Sequence, residues 1–197
     1  METQNLLELS EQNQKRAFEI IKKLQIVEKW NAIGATANLV GSLRNGLFMK
    51  RRDIDFHIYT KNFSITDSFV AVALIASNPQ IKKIDYINML DSVDNCLEWH
   101  AWYEDENKEL WQIDMIHIHN DSRYVNYFEE VADRIKAVLT PETKLAILSI
   151  KNNMTANDNF FGIEIYKAVI QDGVRNYTEF LRWRENNEPT GIIEWMP

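Results

Sequence analysis

The chain has 197 residues, a formal charge of −7, a pI near 5.2 and 45% hydrophobic residues. This length and composition suit one domain, or one domain with a helical annex. The acidic balance argues against a duplex or long RNA as the main partner, because phosphate contacts dominate such binding. A single cysteine, Cys96, excludes an internal disulfide and fits a reducing cytosol. The start, Met1-Glu-Thr-Gln-Asn, has no signal-peptide character, and the longest apolar run, Phe69 to Ala76, is too short to span a bilayer. A cytoplasmic protein without a membrane partner is expected.

Leu6, Leu7, Leu9, Ala17, Phe18, Ile20, Ile21 and Leu24 recur at helical spacing and predict a helix over 6–23, extending towards Trp30. Gly34 ends that pattern. Ala37 to Val40 reads as a short strand entering Gly41-Ser42, and Asp53 to Tyr59 as the next strand. Thr66 or Asp67 can cap a helix through Ala76, which Asn78-Pro79 ends. Ile81 to Ile87 is a strand. Leu97–Tyr103 and Leu110–Ile118 flank the polar turn Glu104–Glu109 and predict a β-hairpin. An even-length turn would put Trp99 and Ala101, rather than His100, on the face of Asp114.

From there the period becomes helical. Phe128–Leu139 is followed by Thr140-Pro141-Glu142, a capping residue and then Pro in the first turn, which starts a helix ending near Asn152. Phe160–Gln171, stopped at Gly173, and Tyr177–Glu185 are further helices. Ile192, Ile193, Trp195 and Met196 form an apolar tail expected to dock on the body. The expected organisation is an α/β domain over 1–122 and a helical segment over 123–197.

The chemistry concentrates in Val40-Gly41-Ser42 and, after ten intervening residues, Asp53-Ile54-Asp55. Alternate strand residues share a face, so the two carboxylates project together about 6–7 Å apart, with Ile54, Phe56 and Ile58 opposite. A hard divalent cation with oxygen ligands, such as Mg²⁺, relieves their repulsion. Gly41 lets backbone approach a bulky anion, and Ser42 offers a hydroxyl and an N–H to phosphate. A third carboxylate, Asp114, interrupts the apolar run Trp111–Ile118, where an unpaired charge is costly. Three carboxylates on adjacent strands can hold two ions about 3.5–4 Å apart, clamping the attacking and leaving oxygens of an in-line displacement. Taken alone, Asp53-Ile54-Asp55 is equally compatible with a solvated strand face.

These residues, from about Trp30 to His119, resemble the nucleotidyltransferase superfamily typified by DNA polymerase beta. The small size and helical C-terminal third look most like its lincosamide and aminoglycoside nucleotidyltransferases. The resemblance implies a mixed, twisted sheet flanked by helices, and two Mg²⁺ ions. It also implies transfer of a nucleoside monophosphate from a triphosphate, with ATP the expected donor, to a hydroxyl of a small acceptor. By position, Gly41 and Ser42 would hold the triphosphate, Asp53 and Asp55 both metals, and Asp114 the catalytic metal. Arg52 departs from the small polar residue that many members place before the first aspartate. Members often bring a lysine from the helical part to the triphosphate, which singles out Lys151, or Lys167 beside Tyr166.

Arg44, two residues past Ser42, is close enough to contact a phosphate or else lies on a solvated helix face. Lys50 and Arg51 read as loop solvation. His117 and His119 share a strand face, and strand alternation turns them away from Asp114, which argues against zinc. Trp99, Trp102 and Trp111 read as hairpin core. A separate general base would come from Glu142 or Glu164. The rival functions are a non-catalytic, antitoxin-like nucleotide-binding module and a transferase acting on a protein hydroxyl.

Overall fold

A computed structural model describes residues 2–155, 157–189, 191 and 193–197. The chain begins with α1 (Glu2–Leu24) and α2 (Ile26–Asn31), which Gln25 separates with a left-handed φ of 51°. The single helix expected towards Trp30 is therefore broken one residue after Leu24. Ala17, Ile20 and Leu24 form the buried stripe of α1, whereas Phe18, one position off it, is 50% exposed.

β1 (Ala35–Leu39) leads into the short α3 (Gly41–Arg44), and β2 (Asp53–Thr60) follows. α4 (Ile65–Ala76) is capped by Ser64, whose hydroxyl accepts from the Asp67 N–H at 3.2 Å, two residues before Thr66, the earlier of the expected caps. β3 (Ile81–Asn88), β4 (Cys96–Glu104) and β5 (Leu110–Ile118) complete a five-stranded sheet of order β1-β2-β5-β4-β3. Only β2 and β5 are parallel; the other pairs are antiparallel. The expected mixed α/β architecture is what the chain adopts.

The helical part comprises α5 (Tyr127–Val138), α6 (Pro141–Asn153), α7 (Gly162–Ile170) and α8 (Tyr177–Glu185). Thr140 and Thr143 cap α6 reciprocally, with Pro141 in the first turn where its missing N–H costs nothing. Of the C-terminal tail, Trp195 and Met196 pack on the helical core and the Trp195 indole donates to Gln171 at 2.7 Å; Ile192 lies outside the described residues.

Two apolar cores result. One lies between the sheet and α1, α2 and α4, and contains Trp30, Ile54, Phe56, Ile58, Trp99 and Trp111. The other is helical, built on Val131, Ile135, Ile147, Ile165, Val169 and Phe180, and takes in Leu47 from the loop before β2. That loop is fastened on both sides. Ser10 of α1 donates to the Phe48 carbonyl at 2.7 Å, and Lys151 of α6 donates to the Leu47 carbonyl at 2.8 Å. The acidic face of β2 is thus held against the helices that wall it.

Candidate active site

Strand alternation places Asp53, Asp55 and His57 on one face of β2, while Ile54, Phe56 and Ile58 fill the core on the other. Register then aligns Asp53 with Gln112 and Asp55 with Asp114 on β5. All three aspartates line one cavity of about 990 Å³ between the sheet and the helical part. Gly41, Ser42, Lys151 and Tyr166 line it too, with an apolar side from Tyr127, Phe128, Val131, Ile135 and Ile163.

Gly41 is dictated by this packing. Its φ is +65°, and a Cβ there would lie 2.2 Å from Asp55 Oδ2. No other residue allows backbone and carboxylate to approach so closely.

The electrostatics are those of unmatched negative charge. Burial raises the Asp53 carboxyl above its ordinary value; Asp114 adds to the effect, and Arg51 and Lys151 oppose it. Asp55 is pushed well above the carboxylate range, first by burial, then by Asp114 and Asp53, against Lys151. Lys151 Nζ stands 3.0 Å from the Tyr166 hydroxyl, at the end of α6 that meets the acidic pair.

Asp114 differs from the other two. Its Oδ1 accepts from His100 Nδ1 at 2.6 Å and from Gln112 Nε2 at 2.9 Å, and Oδ2 meets the same Gln112 amide at 3.1 Å. The bond to Asp114 leads the influences that raise the His100 imidazole above its ordinary value. His100 therefore shares the face of Asp114, contrary to the even-turn expectation. The hairpin closes through Glu106-Asn107-Lys108, with Lys108 left-handed at φ 62° and the Asp105 N–H bonded to the Glu109 carbonyl at 3.0 Å. A three-residue loop of this kind inverts the parity and pairs His100 with Asp114.

Among the described residues, no three His, Cys, Asp or Glu side chains lie close enough together to hold a metal ion as they stand. The donor chemistry nonetheless fits a hard cation. Asp53 and Asp55 are oxygen donors whose proton affinity Asp114 raises, and among the described residues Asp114 Oδ2 carries one amide contact.

Other basic residues have protein partners, and two of them, Lys50 and Arg51, also line the cavity. Arg44 makes a bidentate pair with Asp133 of α5 at 2.8 and 2.7 Å and donates to the Leu39 carbonyl at 3.0 Å, and it does not line the cavity. Lys50 donates to the Asn152 carbonyl at 2.9 Å, and Arg51 to the carbonyls of Asp158 and Phe160, so neither is a merely solvated loop residue. Arg52 pairs with Glu109 on the opposite side of β2 from Asp53. Glu164 is engaged by Arg184 at 2.9 Å and Glu142 by Arg175 at 2.7 Å, and neither lines the cavity. His117 is buried beside Trp30 and Phe63, its Nε2 3.0 Å from Thr60 Oγ1.

His57, on the aspartate strand, lines the cavity as well. It follows Asp55 by two positions, and Glu129 Oε2 lies 3.7 Å from its Nδ1. Strand alternation alone identifies its face.

No protein-family model matches the chain, and no curated protein does. Solved structures do share the fold. The poly(A) polymerase complex GLD-2–GLD-3 matches with a TM-score of 0.56 at 9% identity, over 98% of this chain and 66% of that one. A cytoplasmic RNA terminal U-transferase matches at 0.56 and 13% identity, over 85% and 52%. The Cid1 poly(U) polymerase with Mg 3′-dATP bound matches at 0.53 and 14%, over 76% and 45%. The chain thus spans about half to two thirds of the length of these structures, and what it has in common with them is the nucleotidyltransferase-like fold.

Proposed function

We propose that the chain is a divalent-metal-dependent nucleotidyltransferase, moving a nucleoside monophosphate from a triphosphate such as ATP to the hydroxyl of a small acceptor. The observation that carries this reading is the convergence of Asp53, Asp55 and Asp114 with Gly41, Ser42 and Lys151 on one cavity. Structural charges are normally matched, whereas raised carboxyls grouped in a cleft are a functional-site signature. That Cid1 poly(U) polymerase, which shares the fold, is known with Mg 3′-dATP bound supports the donor class.

In this reading the acceptor oxygen attacks the α-phosphorus, the new O–P bond forms, and the bond to pyrophosphate breaks. Ser42 hydrogen-bonds a phosphate oxygen, and Lys151 balances charge on the triphosphate. Gly41 keeps the backbone out of the space that the phosphates and Asp55 need. Held by Asp53, Asp55 and Asp114, divalent ions would neutralise the triphosphate and lower the pKa of the attacking hydroxyl. Arg44 has no part in this set; it holds α3 to α5.

A small acceptor is favoured by the net charge of −7. An RNA 3′ end is the second reading, favoured by the fold shared with the poly(A) and U-transferases. The test supplies ribonucleoside triphosphates labelled at the α-phosphate, with Mg²⁺, to hydroxylated small molecules and to short RNAs. Label appearing on a small acceptor with release of pyrophosphate supports the proposal. Label appearing only on RNA selects the second reading, and no transfer to either returns the chain to the nucleotide-binding module.

A further inference from the structure

We infer that His100 is a positioning residue for Asp114, fixing Oδ1 towards β4 and leaving Oδ2 as the oxygen offered on the Asp55 side. This inference rests on the function proposed above. β5 lies between β2 and β4, so Asp114 has two cross-strand neighbours, Asp55 on one side and His100 on the other.

A carboxylate only accepts, so the ring nitrogen 2.6 Å from Oδ1 is the donor. The far nitrogen, Nε2, lies 3.5 Å from Glu98 Oε2. The imidazole is thus held between two carboxylates on neighbouring strands. Both His100 and Asp114 side chains are only about a fifth exposed, at 20% and 19%, so water does not readily substitute for this contact.

Gln112 approaches from along β5 and touches both oxygens, which prevents the carboxylate from turning about its own axis. With Oδ1 committed to two donors, Oδ2 keeps the lone pairs that a hard cation requires. Carboxylates that bind metals are commonly oriented by such hydrogen bonds, and loss of the orienting group lowers metal affinity about 10–100-fold.

The test compares His100→Phe, which keeps a ring without a donor, with His100→Asn, whose amide nitrogen occupies the place of Nδ1. Mn²⁺ stands in for Mg²⁺, and its binding is counted by electron paramagnetic resonance in the presence of ATP, with no turnover needed. Thermal melts confirm that each variant folds. His100→Phe is expected to bind Mn²⁺ about 10–100-fold more weakly, and His100→Asn close to the parent. Parental or tighter binding by His100→Phe overturns the inference. So does an equal loss in both variants, since the ring would then serve packing alone. If His100→Phe does not fold, His100→Ala carries the same expectation. A parent protein that binds no Mn²⁺ with ATP removes the proposed function and this inference with it. Parental binding with an unchanged His100→Phe removes the inference alone.

Discussion

On one face of β2 and β5, Asp53, Asp55 and Asp114 gather carboxylates against few cations, chiefly Lys151 and Arg51. On the other side of the same two strands, Arg16, Arg52, Asp105 and Glu109 pair with one another beside Trp111. Burial works against Asp105 as it does against Asp55. There, however, the Trp111 indole, the Glu109 backbone N–H and Arg16 bring the carboxyl below its usual value. Asp55 instead goes well above it. Matched charge holds α1 to the hairpin turn, whereas the charge in the cavity is left largely unmatched.

Substitution of Asp55 separates the two faces most sharply. On the proposed function, Asp55→Asn should reduce nucleotidyl transfer by several orders of magnitude, because the ions it would help hold would supply charge stabilisation in the transition state. The same change should raise the metal-free melting temperature, since it relieves burial and repulsion of a charge. Labelled-nucleotide transfer and a thermal melt check both halves. Parental transfer, or a lower melting temperature, would break the comparison.

Acidification acts on the molecule in two directions. Asp53 and Asp55 have raised folded values, so their ionisation costs stability as pH rises through those values, and lower pH relieves it. Buried His117 is the reverse. Desolvation, with a smaller push from His119, lowers its imidazole to about 4. Its stabilising neutral form is fully effective above the ordinary value of about 6.5 and is lost as pH falls towards 4, at a cost of about 3 kcal/mol. Denaturant unfolding at about pH 7 and about pH 4 should show that loss in the parent. A smaller loss in His117→Phe is expected, and equal losses in the two proteins would discard this account of the buried imidazole.

A smaller effect is expected at Gly41. Gly41→Ala imposes a left-handed conformation on a residue with a Cβ, about 1–2 kcal/mol, and drives that Cβ against Asp55 Oδ2. Its melting temperature should fall and nucleotide binding should weaken with it. A variant of parental stability would show that Asp55 moves aside freely.

The smallest effect is on the matched side. Glu109→Ala removes the shared partner of Arg16 and Arg52 at partly exposed positions, so about 1 kcal/mol of stability should be lost. Transfer should not change. If transfer collapses, the two faces are coupled and the comparison no longer holds.

Much of this organisation was legible in the sequence because it follows from periodicity and capping. The span of β5, the Thr140-Pro141 start of α6 and the common face of Asp53 and Asp55 are properties of neighbouring residues. The position of His100 was not legible, because one left-handed residue, Lys108, reverses the parity of the hairpin. Nor was the fate of Arg44, Lys50 and Arg51. Asp133 and the carbonyls of Asn152, Asp158 and Phe160 lie about 90–110 residues away along the chain. Gln25 carries no sequence signal for the left-handed break it makes between α1 and α2.

Melting the protein with ATP, with Mg²⁺, and with both shows whether the surplus carboxylates take up a metal–triphosphate complex. The carboxylates repel ATP unless a cation intervenes. ATP and Mg²⁺ together at about 100 times the Kd should therefore add about 2.7 kcal/mol of stability, and ATP alone should add almost none. Equal shifts for ATP with and without Mg²⁺ would contradict such uptake.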